Sequence, residues 1–78
     1  MKRIVIGNNV RKLRFAHGEM TQQQLAEQVG VTRQTIVAIE KGKYSPSLEL
    51  AFRIALVFNT SLEMVFFLED TDHPGEPT

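Results

Sequence analysis

Seventy-eight residues without a cysteine make one small domain with no disulfide staple and no thiolate metal site. Its zero net charge hides a division: residues 1–68 carry all nine Lys and Arg against Glu19, Glu27, Glu40, Glu49 and Glu63, a net of +4, while the last ten carry Glu69, Asp70, Asp72 and Glu76. No run approaches the about 20 apolar residues of a membrane span, and MKRIVIG is too short for a signal peptide's apolar core, so the chain reads as cytoplasmic.

KRIVIG at the start and MVFFLE near the end are short apolar runs rich in β-branched or aromatic residues. Periodicity alone does not decide whether they are strands. The expectation is that Ile4–Ile6 pairs with Phe66–Leu68, within one chain or between two. Beyond residue 7 the pattern turns helical. Asn8 or Asn9 is placed to cap a first helix that holds Val10 and Leu13 and stops near Gly18. Thr21 caps TQQQLAEQV, whose Leu25, Ala26 and Val29 face inward. Gly30 follows as the residue best able to turn the chain with positive φ. After Val31 alone, Thr32 opens TRQTIVAIEKGK, with Gly42 placed for its C-terminal cap. Two short helices joined this tightly through a glycine are a helix-turn-helix signature. Pro46 bars helix continuation, and Ser47 caps a fourth helix, SLELAFRIALVF. Asn59 ends it, and Thr60 or Ser61 starts a short fifth, TSLEMVF. The closing EDTDHPGEPT cannot bury enough apolar surface to order itself, and its charge would screen the basic body. This divides the chain into an N-terminal extension 1–7, a helix-turn-helix domain 8–68 and an acidic tail 69–78.

The third helix has only Ile36 and Ile39 as a buried stripe. Its other face offers Arg33, Gln34, Val37 and Ala38. Arginine can bond guanine O6 and N7 in bidentate fashion, and glutamine can do the same to adenine N6 and N7. Val37 and Ala38 are short enough for close approach and can touch a thymine methyl. Phosphate suits the groups around this face: Gln22 at the start of the preceding helix, Thr35, and Lys41, Lys43 and Tyr44 at the far end.

The fourth helix is apolar almost all round. Ala51, Ile54, Ala55 and Phe58 make one core stripe, Leu50 and Val57 lie nearly opposite, and Phe52 and Leu56 sit on a flank. Such a helix must be buried almost all round. A second subunit is the expected cover, through Leu50, Phe52, Leu56, Val57, Phe66 and Phe67. The other cover available is the chain's own last helix and C-terminal segment.

The run MTQQQLAEQVGVTRQTIVAIEKGKYSPSLELAFRIALVF closely resembles the small Cro/CI-type (Xre-like) helix-turn-helix transcriptional regulators, over roughly residues 8–67. The resemblance implies an all-α, five-helix, lambda-repressor-like DNA-binding domain. It implies that Arg33 and Gln34 read bases, with Thr32, Val37 and Ala38 in support. Gln22 would grip phosphate, the loop from Lys41 to Tyr44 would touch the backbone, and Arg14 and Glu40 would form an ion pair that orients the reading helix. Glu19 departs from the family pattern as one extra residue in the first turn, and MKRIVIG precedes the usual start of the domain.

No enzyme is expected. His17 and His73 have no partners at metal-ligand spacing, and a helix-capping role suits His17 better than ligation. The chain has no Gly-rich phosphate loop, no thiol nucleophile and no Ser with an evident His–acid pair. Neither a cofactor nor a small-molecule effector is implied. The expected function is sequence-specific regulation of transcription, by default repression, by a homodimer on two-fold symmetric double-stranded DNA. The alternative is a DNA-binding antitoxin or protein-interaction module whose fourth helix and MVFFLED segment bind a different protein.

Overall fold

The computed structural model describes residues 5–69. In chain order the elements are β1 (Val5–Asn8), α1 (Val10–Ala16), α2 (Gln22–Val29), α3 (Arg33–Glu40), α4 (Leu48–Val57), α5 (Leu62–Val65) and β2 (Phe66–Glu69). The fold is the expected five-helix arrangement, with the two terminal segments joined as a short sheet.

Each helix boundary has a local cause. Thr21, Thr32 and Ser47 sit extended at the N-caps of α2, α3 and α4, and their hydroxyls accept the amides of Gln24, Thr35 and Leu50. At α2 the Thr21 amide also donates to the Gln24 side chain at 2.9 Å, completing a capping box. α1 starts differently. Asn9 occupies its cap without a side-chain bond to the helix, and Asn8 Oδ1 accepts the Val10 amide at 3.1 Å. The Asn9 side chain instead donates to the Met64 carbonyl at 2.9 Å, which fastens α1 to α5.

Two helices end in the same motif. Gly42, with φ 76°, donates to the Ile39 carbonyl while Lys43 donates to Ala38. At the end of α4, Asn59 (φ 54°) and Thr60 repeat this on the carbonyls of Leu56 and Ala55. Between α2 and α3 the chain turns on Gly30, at φ 81°. The Gly30 and Val31 amides both reach the Ala26 carbonyl, at 2.9 and 3.0 Å. Glu19, in the turn between α1 and α2, takes φ 55°.

β1 and β2 run antiparallel within the one chain, with Ile6 opposite Leu68 and Gly7 opposite Phe67. Ile4, which the sequence reading includes in this pairing, lies outside the described residues. Gly7 allows the close approach, because a Cβ there would collide with the Phe67 ring. β1 runs across the expected boundary between residues 7 and 8, and Glu69 closes β2. The rest of the acidic tail, residues 70–78, lies outside the described residues.

The core gathers Val10, Leu25, Val29, Ile36, Ile39, Ile54 and Val65, all at most 2% exposed. Burying each such side chain contributes about 1.5–3 kcal/mol. α4 corrects one expectation. The sequence places Leu50 on the outward side of the helix, as a contact for a partner, but the structure packs it into the chain's own core at 8% exposure. Val57 is half-buried against the same core. The reason is that α4 is packed on by both α2 and α5, so the core wraps more of its circumference than one stripe. Nor is the helix buried all round within the chain. Leu48, Phe52 and Leu56 remain exposed, Leu56 at 78%.

Substituting Gly30 with alanine tests the turn that sets α3 against α2. The nearest atom to an added Cβ would be Arg53 Nη1 at 3.5 Å, an ordinary contact. The expected loss is therefore conformational, about 1–2 kcal/mol for an L-residue held in the left-handed region. Urea unfolding of both proteins measures it, and an unchanged midpoint would show that the turn relaxes at no cost.

Candidate nucleic-acid interface

α3 is held from behind and from its C-terminal end. Ile36 and Ile39 anchor its inner face in the core. At its end, Asn8 Nδ2 donates to the Ile39 carbonyl at 3.0 Å, tying β1 to the last turn. Arg14, from the middle of α1, grips Glu40 as a fork: Nε donates to Oε2 at 2.6 Å and Nη2 to Oε1 at 3.1 Å. Its remaining nitrogen, Nη1, donates to the Met20 carbonyl at 2.8 Å. Gln22 Nε2 adds a bond to Glu40 Oε1 at 3.2 Å. The two charged side chains are only 7% and 9% exposed. No buried side-chain polar atom among the described residues lacks a partner. Burying a charge pair is unfavourable unless hydrogen bonds surround it, and here each nitrogen of Arg14 and each carboxylate oxygen of Glu40 has at least one.

The outer face of α3 is the complement of this anchoring. Arg33 and Gln34 are exposed at its first two positions, and among the described residues neither is tied by a hydrogen bond or ion pair within the chain. Thr35, Val37 and Ala38 are half-buried alongside them. The Thr32 hydroxyl is engaged as the cap and lies 3.1 Å from Thr35 Oγ1, so it serves the helix start. Lys41, at the C-cap, and Lys43 and Tyr44 beyond it are exposed. Gln22 stands at the first position of α2, where free amides gather. Its side-chain amide has two hydrogens, so the bond to Glu40 leaves one for an outside acceptor. His17 caps α1 with Nδ1 3.0 Å from the Leu13 carbonyl and its ring against Phe58. His73 lies outside the described residues.

A second surface lies on other elements. Two shallow grooves meet at Leu62 and Glu63. One, about 440 Å³, is lined by Ile6, Leu48, Phe66, Phe67 and Leu68, and the other, about 380 Å³, by Phe52, Ala55 and Leu56. Of the residues the sequence reading assigns to a partner, Phe52, Leu56 and Phe67 are exposed, Val57 and Phe66 are half-buried, and Leu50 belongs to the core. Leu48, at 67% exposure, is missing from that assignment. The signal was present, since Leu48, Phe52 and Leu56 repeat every four residues along one face of α4.

A helix-turn-helix family model matches residues 10–65, from the first residue of α1 to the last of α5. The chain belongs to the helix-turn-helix family. It is a small Xre-like regulator of transcription, with a DNA-binding domain and not an enzyme. An uncharacterized HTH-type transcriptional regulator of Archaeoglobus fulgidus is 52% identical over 67 residues, covering 86% of this chain and 94% of that protein. The uncharacterized HTH-type transcriptional regulator YgzD of Bacillus subtilis is 52% identical over 63 residues, covering 81% of this chain and 94% of that one. A crystal structure of a Bacteroides fragilis protein, provisionally described as DNA-binding, superposes with a TM-score of 0.69 at 26% identity. It covers 80% of this chain and 98% of its own.

Within this helix-turn-helix frame the buried pair can be tested by itself. Arg14→Ala leaves Glu40 buried without its partner and is expected to destabilise the domain by about 3–5 kcal/mol. Replacing both residues with apolar ones, Arg14→Met with Glu40→Leu, should recover most of that loss, as read by thermal unfolding. If the double variant is as unstable as the single one, the destabilisation comes from lost packing and not from the stranded carboxylate.

Proposed function

We propose that this helix-turn-helix regulator binds a two-fold symmetric operator as a homodimer and represses transcription by occupying a promoter in the cytoplasm. The observation that carries the reading is the contrast within α3. Its inner face and its end are fixed by the core, Asn8 and Arg14, while Arg33 and Gln34 stand exposed at its start, free of intrachain ties among the described residues. A planar fork and an amide held on a rigid helix are what bidentate reading of guanine and adenine requires. Val37 and Ala38 keep the helix thin enough to enter the major groove. Gln22, Thr35, Lys41, Lys43 and Tyr44 then surround the face as phosphate contacts, with Arg14 and Glu40 fixing the angle at which the helix is presented.

The dimer reading rests on the apolar surface of α4 and β2. Phe52, Leu56 and Phe67 are exposed, and Leu48 and Leu68 extend the patch. It lies on elements other than α3, so a copy bound there leaves the reading face open. Two such copies would place their α3 helices in successive major grooves, about 34 Å apart.

Selection of duplexes from a random library should enrich a site with two-fold symmetry. Arg33→Ala should then weaken binding by about 1–3 kcal/mol for each half-site and relax preference at one base pair in each. Unaltered affinity and preference would mean that another face reads the bases. For the dimer, Leu56→Asp should shift the chain toward monomer in sedimentation velocity, and its unfolding midpoint should lose the concentration dependence that self-association gives the wild type, because Leu56 is largely exposed in the single chain. A wild-type protein that is already monomeric at tens of micromolar would count against a homodimer of ordinary affinity, whose dissociation constant lies near or below about 1 μM.

A further inference from the structure

We infer that the groove between α1 and α3 is a second grip on the DNA backbone, in which Arg11 binds phosphate and Phe15 positions it. The inference rests on the DNA-binding reading and adds to it two residues that the sequence pattern did not single out. The groove, about 610 Å³, is bounded by Arg11 and Phe15 of α1, Thr21 and Gln22 at the start of α2, Val37 of α3 and Lys41 at its C-cap. Val37 belongs to the reading face as well, so the groove opens along the edge of that face. A helix lying in the major groove has a sugar–phosphate strand beside it. A channel that runs beside the reading helix therefore meets phosphodiester.

The charges in the groove suit that ligand. Arg14 is committed to Glu40, and Glu19 is the acid left in the lining. Arg11 and Lys41 are the lining cations without an ion pair among the described residues. Arg11 also has a defined seat. Its guanidinium carbon lies 5.4 Å from the centroid of the Phe15 ring, one helical turn further along α1. The guanidinium of Arg14 lies 5.3 Å from the same ring. One aromatic ring thus links the exposed arginine to the one locked onto the reading helix. That contact accounts for a large apolar side chain, Phe15, left 52% exposed on a helix whose Val10 is buried. Stacking against a ring leaves the in-plane N–H groups of a guanidinium available for phosphate oxygens.

The test is fluorescence anisotropy on the selected duplex, across roughly 0.1 to 1 M salt. Arg11→Gln removes one contact from each protomer of the bound dimer, so it should make the log–log salt dependence shallower by about 1.8, equivalent to about sixtyfold weaker binding at 0.1 M relative to 1 M. Base preference should be unchanged. Lys12→Gln removes the same charge from a neighbour that does not line the groove, and it should change the slope much less. Phe15→Leu should move the slope in the direction of Arg11→Gln, and Phe15→Tyr should restore it. If Arg11→Gln changes the slope no more than Lys12→Gln does, the grip is overturned and the DNA reading stands. If Phe15→Leu keeps the wild-type slope, the positioning role of the ring is overturned. A wild-type protein that binds no duplex at any salt would overturn the DNA reading itself, and this inference with it.

Discussion

The buried pairing of Arg14 with Glu40 is the constraint on which the placement of α3 depends. The core alone does not fix that placement, because an α3 seated only by Ile36 and Ile39 could pivot about a two-residue stripe. Arg14 removes this freedom by using all three of its nitrogens, two on Glu40 and one on the Met20 carbonyl. A lysine could hold the charge but not this planar fork. The Met20 bond also settles the turn after Glu19, so an irregular connection is fastened to the same guanidinium as the reading helix. Such a pair contributes little net stability over an apolar replacement, so its physical value lies in geometry.

Rigid presentation matters because association has to overcome the entropy of ordering both surfaces. In this chain the ordering of α3 is completed on folding. Thr32 fixes its start, Asn8 and the Gly42 motif fix its end, and Arg14 fixes its tilt. What remains free are side chains with many rotamers, Arg33, Gln34, Lys41 and Lys43, which under the proposed function are the groups that would adapt to DNA. Gln22 falls between these classes, since it already bonds Glu40 but keeps a second hydrogen to offer.

Much of this was legible from residue types because local rules decide it. Thr21, Thr32 and Ser47 cap where they stand, and Gly30 and Gly42 adopt positive φ where the chain must turn. The long-range contacts were not legible in the same way. Asn8 reads as a helix cap, and its oxygen does accept the Val10 amide, but its nitrogen reaches Ile39, thirty-one residues away. Leu50 reads as outward because a helical wheel knows nothing of the second element packed on α4. The pairing of Arg14 with Glu40 came from family resemblance, since two charges twenty-six residues apart carry no periodic signal. Arg11 and Phe15 were missed for a related reason. Each is unremarkable by itself, and only the meeting of α1 with α3 makes them the walls of one groove.

The same long-range contacts join the two surfaces of the molecule. Phe67 rests on Gly7, which lies next to Asn8, and Asn8 holds the last turn of α3. Three consecutive structural links therefore run from the apolar face to α3, all through β1. A glycine at residue 7 lets the Phe67 ring lie close over the strand, and an asparagine at residue 8 turns that strand into a brace for α3. Had β1 been a loop, the apolar face and the reading face would share only the core. With β1 paired to β2, the strand that carries the apolar face also holds the carbonyl end of α3 through Asn8, so one short strand serves both faces.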